Sequence, residues 1–174
     1  AHLANHHPAD LDVTLVNPYP WHTHCGRVAD VVAGRCPPPE GQIVIEPLVR
    51  AARARWVQGR CTGLDANART VQLAAAGGAK DVPAQLGYDW LSLNTGAMID
   101  RQRLDAHMPG AAGRALIVRP LEAFTALWPQ VLDMARSGKP LSIVVIGAGL
   151  GGLELLFAVH ERLQREGLPQ FSLS

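Results

Sequence analysis

Along the chain, short runs rich in β-branched residues alternate with stretches whose apolar positions recur every three or four residues. Leu11–Val16 (LDVTLV) is a run of the first kind, and the turn dipeptide Asn17-Pro18 closes it. His22–Arg35 is irregular or partly helical, and residues 36–41 (CPPPEG) form a loop. Leu48, Val49, Ala52 and Trp56 share a helical face, which predicts a helix over Glu46–Arg55. Trp56–Asp65 predicts a strand running into a turn, and Arg69–Leu73 is its return strand in a hairpin-like meander. A small-residue loop around Gly77-Gly78 follows. Tyr88–Asn94 (YDWLSLN) predicts a further strand stopping at Thr95-Gly96-Ala97, and Arg114–Val118 another before Pro120. Leu121, Phe124, Leu127, Leu132 and Ala135 predict a helix over Leu121–Ala135, with Pro129 as a candidate kink. Ala1–Ala4 reads as the end of a helix. Strands alternating with helical patterns predict an α/β class with parallel pairing.

Composition removes several kinds of function. Of 174 residues 48% are hydrophobic and 18% charged, and Lys plus Arg (16) nearly balance Asp plus Glu (15). Such a chain has no strong attraction for nucleic acid or an anionic membrane. Cys25, Cys36 and Cys61 form no C-x-x-C pair, which points to a reducing, cytoplasmic compartment rather than a disulfide framework. No signal-peptide pattern opens the chain. Leu141–Val159 is a mostly apolar run, and Gly147-x-x-x-Gly151 imitates a helix-dimer motif. Its β-branched first half, central glycines and Glu154 argue against a membrane span, so no transmembrane segment is expected in this chain.

The candidate chemistry lies in that same run. Leu141–Ile146 is a strand pattern, Leu153–Leu163 a helix pattern, and Gly147, Gly149 and Gly152 between them fit G-x-G-x-x-G. In this motif the first glycine allows the sharp turn, the second lets a pyrophosphate approach the backbone, and the third allows close helix–strand packing. The helix N-terminus then faces the phosphates with free N–H groups. A packing turn without ligand is the alternative. The acid that grips a ribose hydroxyl lies about 20 residues beyond the glycines, past the strand starting at Phe171–Ser174, so NADH and NADPH are not distinguished. The N-terminal strand ending at Asn17 reads as a second nucleotide unit whose own glycine turn precedes Ala1.

The segments VTLVNPYP (13–20), VVAGR (31–35), CTGLDANARTVQLA (61–74), YDWLSLNTGA (88–97), VRPLEAF (118–124) and VVIGAGLGGLELL (144–156) span nearly the whole chain. In this order they resemble the FAD-dependent pyridine nucleotide-disulfide oxidoreductase superfamily, in its type II NADH dehydrogenase-like branch. Within it they are most similar to the flavoproteins associated or fused with selenide,water dikinase. The resemblance implies an α/β, Rossmann-like FAD/NAD(P)-binding fold with two nucleotide-binding domains, both incomplete here. Residues 1–115 would be the first segment of the FAD-binding domain, and 116–174 the start of the NAD(P)H-binding domain.

It further implies that Asn17 lies near the FAD adenosine ribose, that the backbone of Cys61 meets the adenine, and that Thr95 and Gly96 form the turn beside the flavin nucleotide. Gly147, Gly149, Gly152 and Glu154 correspond to the NAD(P)H turn. Implied cofactors are FAD and NADH or NADPH, with a nicotinamide cofactor and a small electron acceptor as partners; peripheral membrane contact and a homodimer are compatible with it. Asn17 replaces the common carboxylate, and no C-x-x-x-x-C redox pair is present.

The remaining candidates read as ordinary structure. His22, His24 and Cys25 bring three potential metal ligands within four residues but lack a fourth, so they read as loop side chains rather than a metal site. His2, His6 and His7 read as a solvated helix end. Cys25 is a small packing residue or a redox thiol near the flavin, and Trp21 a packing residue or a stacking one. No nucleophile–base pair is legible, so any chemistry belongs to the cofactors. The expected function is an FAD-dependent NAD(P)H oxidoreductase that passes electrons to a quinone or other small acceptor. The alternative is a non-catalytic fragment or nucleotide-binding regulatory module linked to selenium metabolism.

Overall fold

The computed structural model describes residues 11–168 and 171–173. The helix end expected at Ala1–Ala4, the histidines His2, His6 and His7, and Ser174 lie outside the described residues. Contacts divide the chain into two compact units. One comprises the residues up to His22 together with Ile43–Asn94; the other comprises Thr23–Gln42 together with the residues from Thr95 onward.

In the first unit, β1 (Thr14–Val16) pairs in parallel with β4 (Arg55–Val57), the two joined in sequence through α2 (Ile45–Ala51). β5 (Gly59–Asp65), β6 (Thr70–Ala75) and β7 (Gln85–Gly87) form an antiparallel meander; the return strand falls as expected, but the strand expected over Trp56–Asp65 is split, since Trp56 and Val57 pair with β1 instead. Alternation along β6 buries Val71 and Leu73, which pack with Val57 into a small core. The Asp65 carboxylate accepts from the N–H groups of Asn67 and Ala68, an Asx turn that closes the hairpin. β2 (Trp21–Thr23) and β3 (Gln42–Val44) form a two-stranded sheet of their own.

The second unit is helical around one strand pair. α1 (Val28–Ala33), α5 (Leu121–Arg136) and α6 (Leu150–Arg165) enclose a core of Val28, Val32, Phe124, Trp128, Val159 and Leu163. Leu163 and Val32 are fully buried, each contributing about 1.5–3 kcal/mol over an exposed side chain. α1 ends in a Schellman motif. Gly34 takes a left-handed φ of 73°, its N–H bonds the Val31 carbonyl, and the Arg35 N–H bonds the Asp30 carbonyl at 2.8 Å. β8 (Leu141–Ile143) pairs in parallel with β9 (Phe171–Leu173), as a βαβ unit around α6 requires. α3 (Arg101–His107), capped by Asp100, and α4 (Ala111–Arg114) precede α5.

Several expected elements change. Tyr88–Asn94 forms no strand; beyond the Tyr88 N–H, which bonds the Arg69 carbonyl, no described segment supplies a ladder partner. Residues 115–118 form no strand either, and Arg114 ends α4. The helix expected to reach Arg55 stops at Ala51, because Arg55 is claimed by the parallel pairing with Thr14. α6 begins at Leu150, earlier than its apolar pattern indicates, because its first turn is exposed. Pro129 sits inside α5 without ending it.

Candidate functional site

From β8 the chain continues through residues 144–149 without a ladder partner and enters α6 at Gly149. The three glycines lack a side chain for different reasons. Gly147 has φ +118°, a conformation closed to most L-residues. A Cβ at Gly152 would overlap the Gly147 carbonyl oxygen and stand 3.0 Å from its carbon, so the helix sits against the turn only because that atom is missing. Gly149 is unlike both. Its φ of −70° and ψ of 166° suit any residue, and a Cβ there would meet nothing within 4 Å.

Gly149 therefore keeps open a cradle that its own fold does not fill. The cradle lies at the N-terminus of a 16-residue helix with no side-chain cap. The Gly149 carbonyl accepts from Gly152 at 2.9 Å and Leu153 at 3.1 Å. The N–H groups of Leu150 and Gly151, first in the helix, have no helical residue four positions earlier to bond. Free donors at the positive end of a helix dipole suit an anion. The backbone thus fits the pyrophosphate of a dinucleotide. Glu154 lies on the exposed side of α6 just past its first turn.

The other predicted residues fall in both units. Asn17 ends β1; its N–H bonds the Val57 carbonyl at 3.1 Å and its Nδ2 donates to the Tyr19 carbonyl at 2.7 Å. That fixes the side chain and leaves its Oδ1 as an acceptor. Cys61 lies exposed on β5 where the register with β6 shifts, and its thiol donates to the Gly63 carbonyl at 3.5 Å. Thr95 and Gly96 lie in the exposed irregular segment that opens the second unit's later part, Gly96 with φ +74°. The glycine turn and Glu154 form one continuous segment, and Thr95 and Gly96 are adjacent, whereas Asn17 and Cys61 stand on separate strands. Trp21 lies beside Tyr19 with ring centres 6.4 Å apart. Cys25 is exposed and Cys36 buried. Among the described residues no three metal-ligating side chains gather, and no helix is long and apolar enough to cross a membrane.

Sequence reasoning missed the far end of α6. The Arg35 guanidinium binds both carboxylate oxygens of Glu161. Glu166 accepts from Arg136 Nε at 2.7 Å and Nη2 at 2.8 Å and from Arg162 Nε at 2.7 Å. The hydrogen bond from Arg35 holds the Glu161 carboxyl below its ordinary value, and that from Arg136 does the same for Glu166. Within VVAGR the Gly-Arg pair after a helix was the available signal, but nothing local names its partners.

No family model matches the chain. A stretch of 90 residues is 32% identical to the alternative NAD(P)H-ubiquinone oxidoreductase C1, chloroplastic/mitochondrial, of Arabidopsis thaliana, covering 49% of this chain and 17% of that protein. Among solved structures, NDH2 from Plasmodium falciparum in complex with NADH superposes on 98% of the chain with a TM-score of 0.72 at 16% identity. The fold is that of the FAD/NAD(P)-binding oxidoreductases. A NAD-dependent persulfide reductase from A. fulgidus superposes on 99% of the chain with a TM-score of 0.63 at 15% identity. The sulfide:quinone oxidoreductase of Aquifex aeolicus gives 0.62 over 98% at 15% identity. The chain spans 38%, 37% and 38% of those three chains respectively, so it carries only part of the fold. This agrees with the expected α/β, Rossmann-like class.

Proposed function

We propose that the chain is part of an FAD-dependent NAD(P)H oxidoreductase that passes electrons to a quinone or another small acceptor. Gly149 carries this reading: a glycine required neither by its φ nor by its packing stands where a pyrophosphate would approach. When bound, the nicotinamide supplies a hydride that the flavin accepts and hands on as electrons. The chain's residues bind and orient. Gly147 turns the backbone, Gly152 seats the helix, the Leu150 and Gly151 N–H groups would hold the pyrophosphate, and Glu154 follows them on the exposed side of α6. Asn17, through its side-chain Oδ1, and the backbones of Cys61, Thr95 and Gly96 would hold FAD. On this reading residues 1–115 belong to the FAD-binding domain and 116–174 to the NAD(P)H-binding domain. The finer kinship, to flavoproteins associated with selenide,water dikinase, rests on the sequence segments alone.

The test is Gly149→Val in the full-length protein. A side chain there enters open space, so stability should fall by no more than about 1 kcal/mol, the usual cost of a poor cap. Flavin content should be unchanged and stopped-flow reduction by NADH or NADPH lost. A folded, yellow variant reduced at the wild-type rate would overturn the site, and a colourless full-length wild type would overturn the flavoenzyme.

A further inference from the structure

We propose that a latch at the far end of α6, formed by Arg35 at the end of α1 and Glu161 on α6, positions the glycine turn for its dinucleotide. The inference rests on the reading of that turn given above. Its physical basis is that α6 is anchored mainly through its second half. Ala158, Val159 and Leu163, all in its second half, are buried in the core. In the first half Leu150 is 76% exposed and Phe157 67%. The first half is tied down more lightly, by the close approach of Gly152 to the Gly147 carbonyl and by half-buried Leu155, which packs against the core. The direction of the helix is therefore set chiefly by its second half, which holds all of its fully buried side chains.

The second half is held by contacts that fix angle as well as distance. Arg35 grips Glu161 with Nε at 3.2 Å and with Nη2, while its Nη1 bonds Asp30 at 3.2 Å on α1 itself. Arg165 reaches the same Glu161 carboxylate at 2.9 Å. Such two-pronged guanidinium–carboxylate pairs constrain orientation where a single contact would not. One residue along, the Arg162 guanidinium lies where a Cβ of Gly34 would stand, so the Schellman end of α1 is fitted to it. Glu161 and Gly152 are separated by roughly 13 Å of helix. Tilting α6 by about 5° about the latch would move the turn by about 1 Å, a displacement large enough to matter for a preorganised site. An exposed ion pair contributes little to stability. Arg35 and Glu161 are positioning residues, and their removal should show in cofactor binding more than in melting.

The experiment compares Arg35→Ala, Glu161→Ala, the double variant and Arg35→Lys in the full-length protein, with Gly149→Val alongside. Flavin reduction is followed across a range of NADH and NADPH concentrations, together with flavin content and Tm. Each alanine variant should raise the half-saturating nicotinamide concentration about tenfold and leave the limiting reduction rate within about twofold. The double variant should be no worse than the worse single one, since either loss opens the latch. Lysine, which cannot make the two-pronged contact, should recover only part. If Gly149→Val blocks reduction while half-saturation in the latch variants is unchanged, additive, or shifts only with Tm, the latch is overturned and the site stands. If Gly149→Val is reduced normally, the site fails and the latch with it.

Discussion

Gly149 and Gly152 stand three residues apart and lack a side chain for opposite reasons. A methyl at Gly152 meets the Gly147 carbonyl, whereas one at Gly149 meets nothing. Gly152→Ala should therefore cost about 1–3 kcal/mol through forced backbone movement, while Gly149→Ala should stay within about 0.5 kcal/mol. Urea unfolding of the two variants reads this directly, and equal losses would contradict the geometry. The spacing of these glycines was legible in the sequence because their structural partners lie within the same turn. Gly34 was not legible in this way. Its left-handed conformation is local, but the Arg162 guanidinium over it comes from a helix distant in sequence.

The C-terminal ends of α1, α5 and α6 are joined by charge, and this gives unfolding an acid limb. Glu166 is hydrogen-bonded by Arg136 and Arg162, which lowers its carboxyl from the ordinary 4.5. A carboxyl depressed in the folded state stabilises fully above its unfolded value, and that share is lost as pH falls through the folded one. The Tm difference between wild type and Glu166→Gln should be constant above about pH 5.5 and close as the pH drops below about 4; a difference that widens in acid would reverse the assignment. At this scale the sequence was most legible where burial follows a helical period, as at Leu121, Phe124, Leu132 and Ala135 of α5. It was least legible for strands. Tyr88–Asn94 has the composition of one, but a ladder needs a neighbour, and composition does not say whether one is present.

Many large apolar side chains are open: Trp90 is 92% exposed, and Val144, Ile146, Leu150 and Phe157 are exposed as well. This agrees with a chain that spans 38% of the solved NDH2. Residues 1–174 alone should bind ANS strongly and elute from a sizing column as associated species. The full-length protein should do neither, and an isolated chain that is monomeric and silent to the dye would mean these surfaces are not interfaces.

The composition of the second unit also orders events during synthesis. Thr23–Gln42 belongs to a core completed only by α6. Arg35 and Glu161 are 126 residues apart, an interval of roughly 6–25 s at ribosomal rates. For that time Val28, Val32 and Ala33 have emerged without the helix that buries them. α1 is thus made well before the helix that covers it, and its apolar face stays open until α6 arrives.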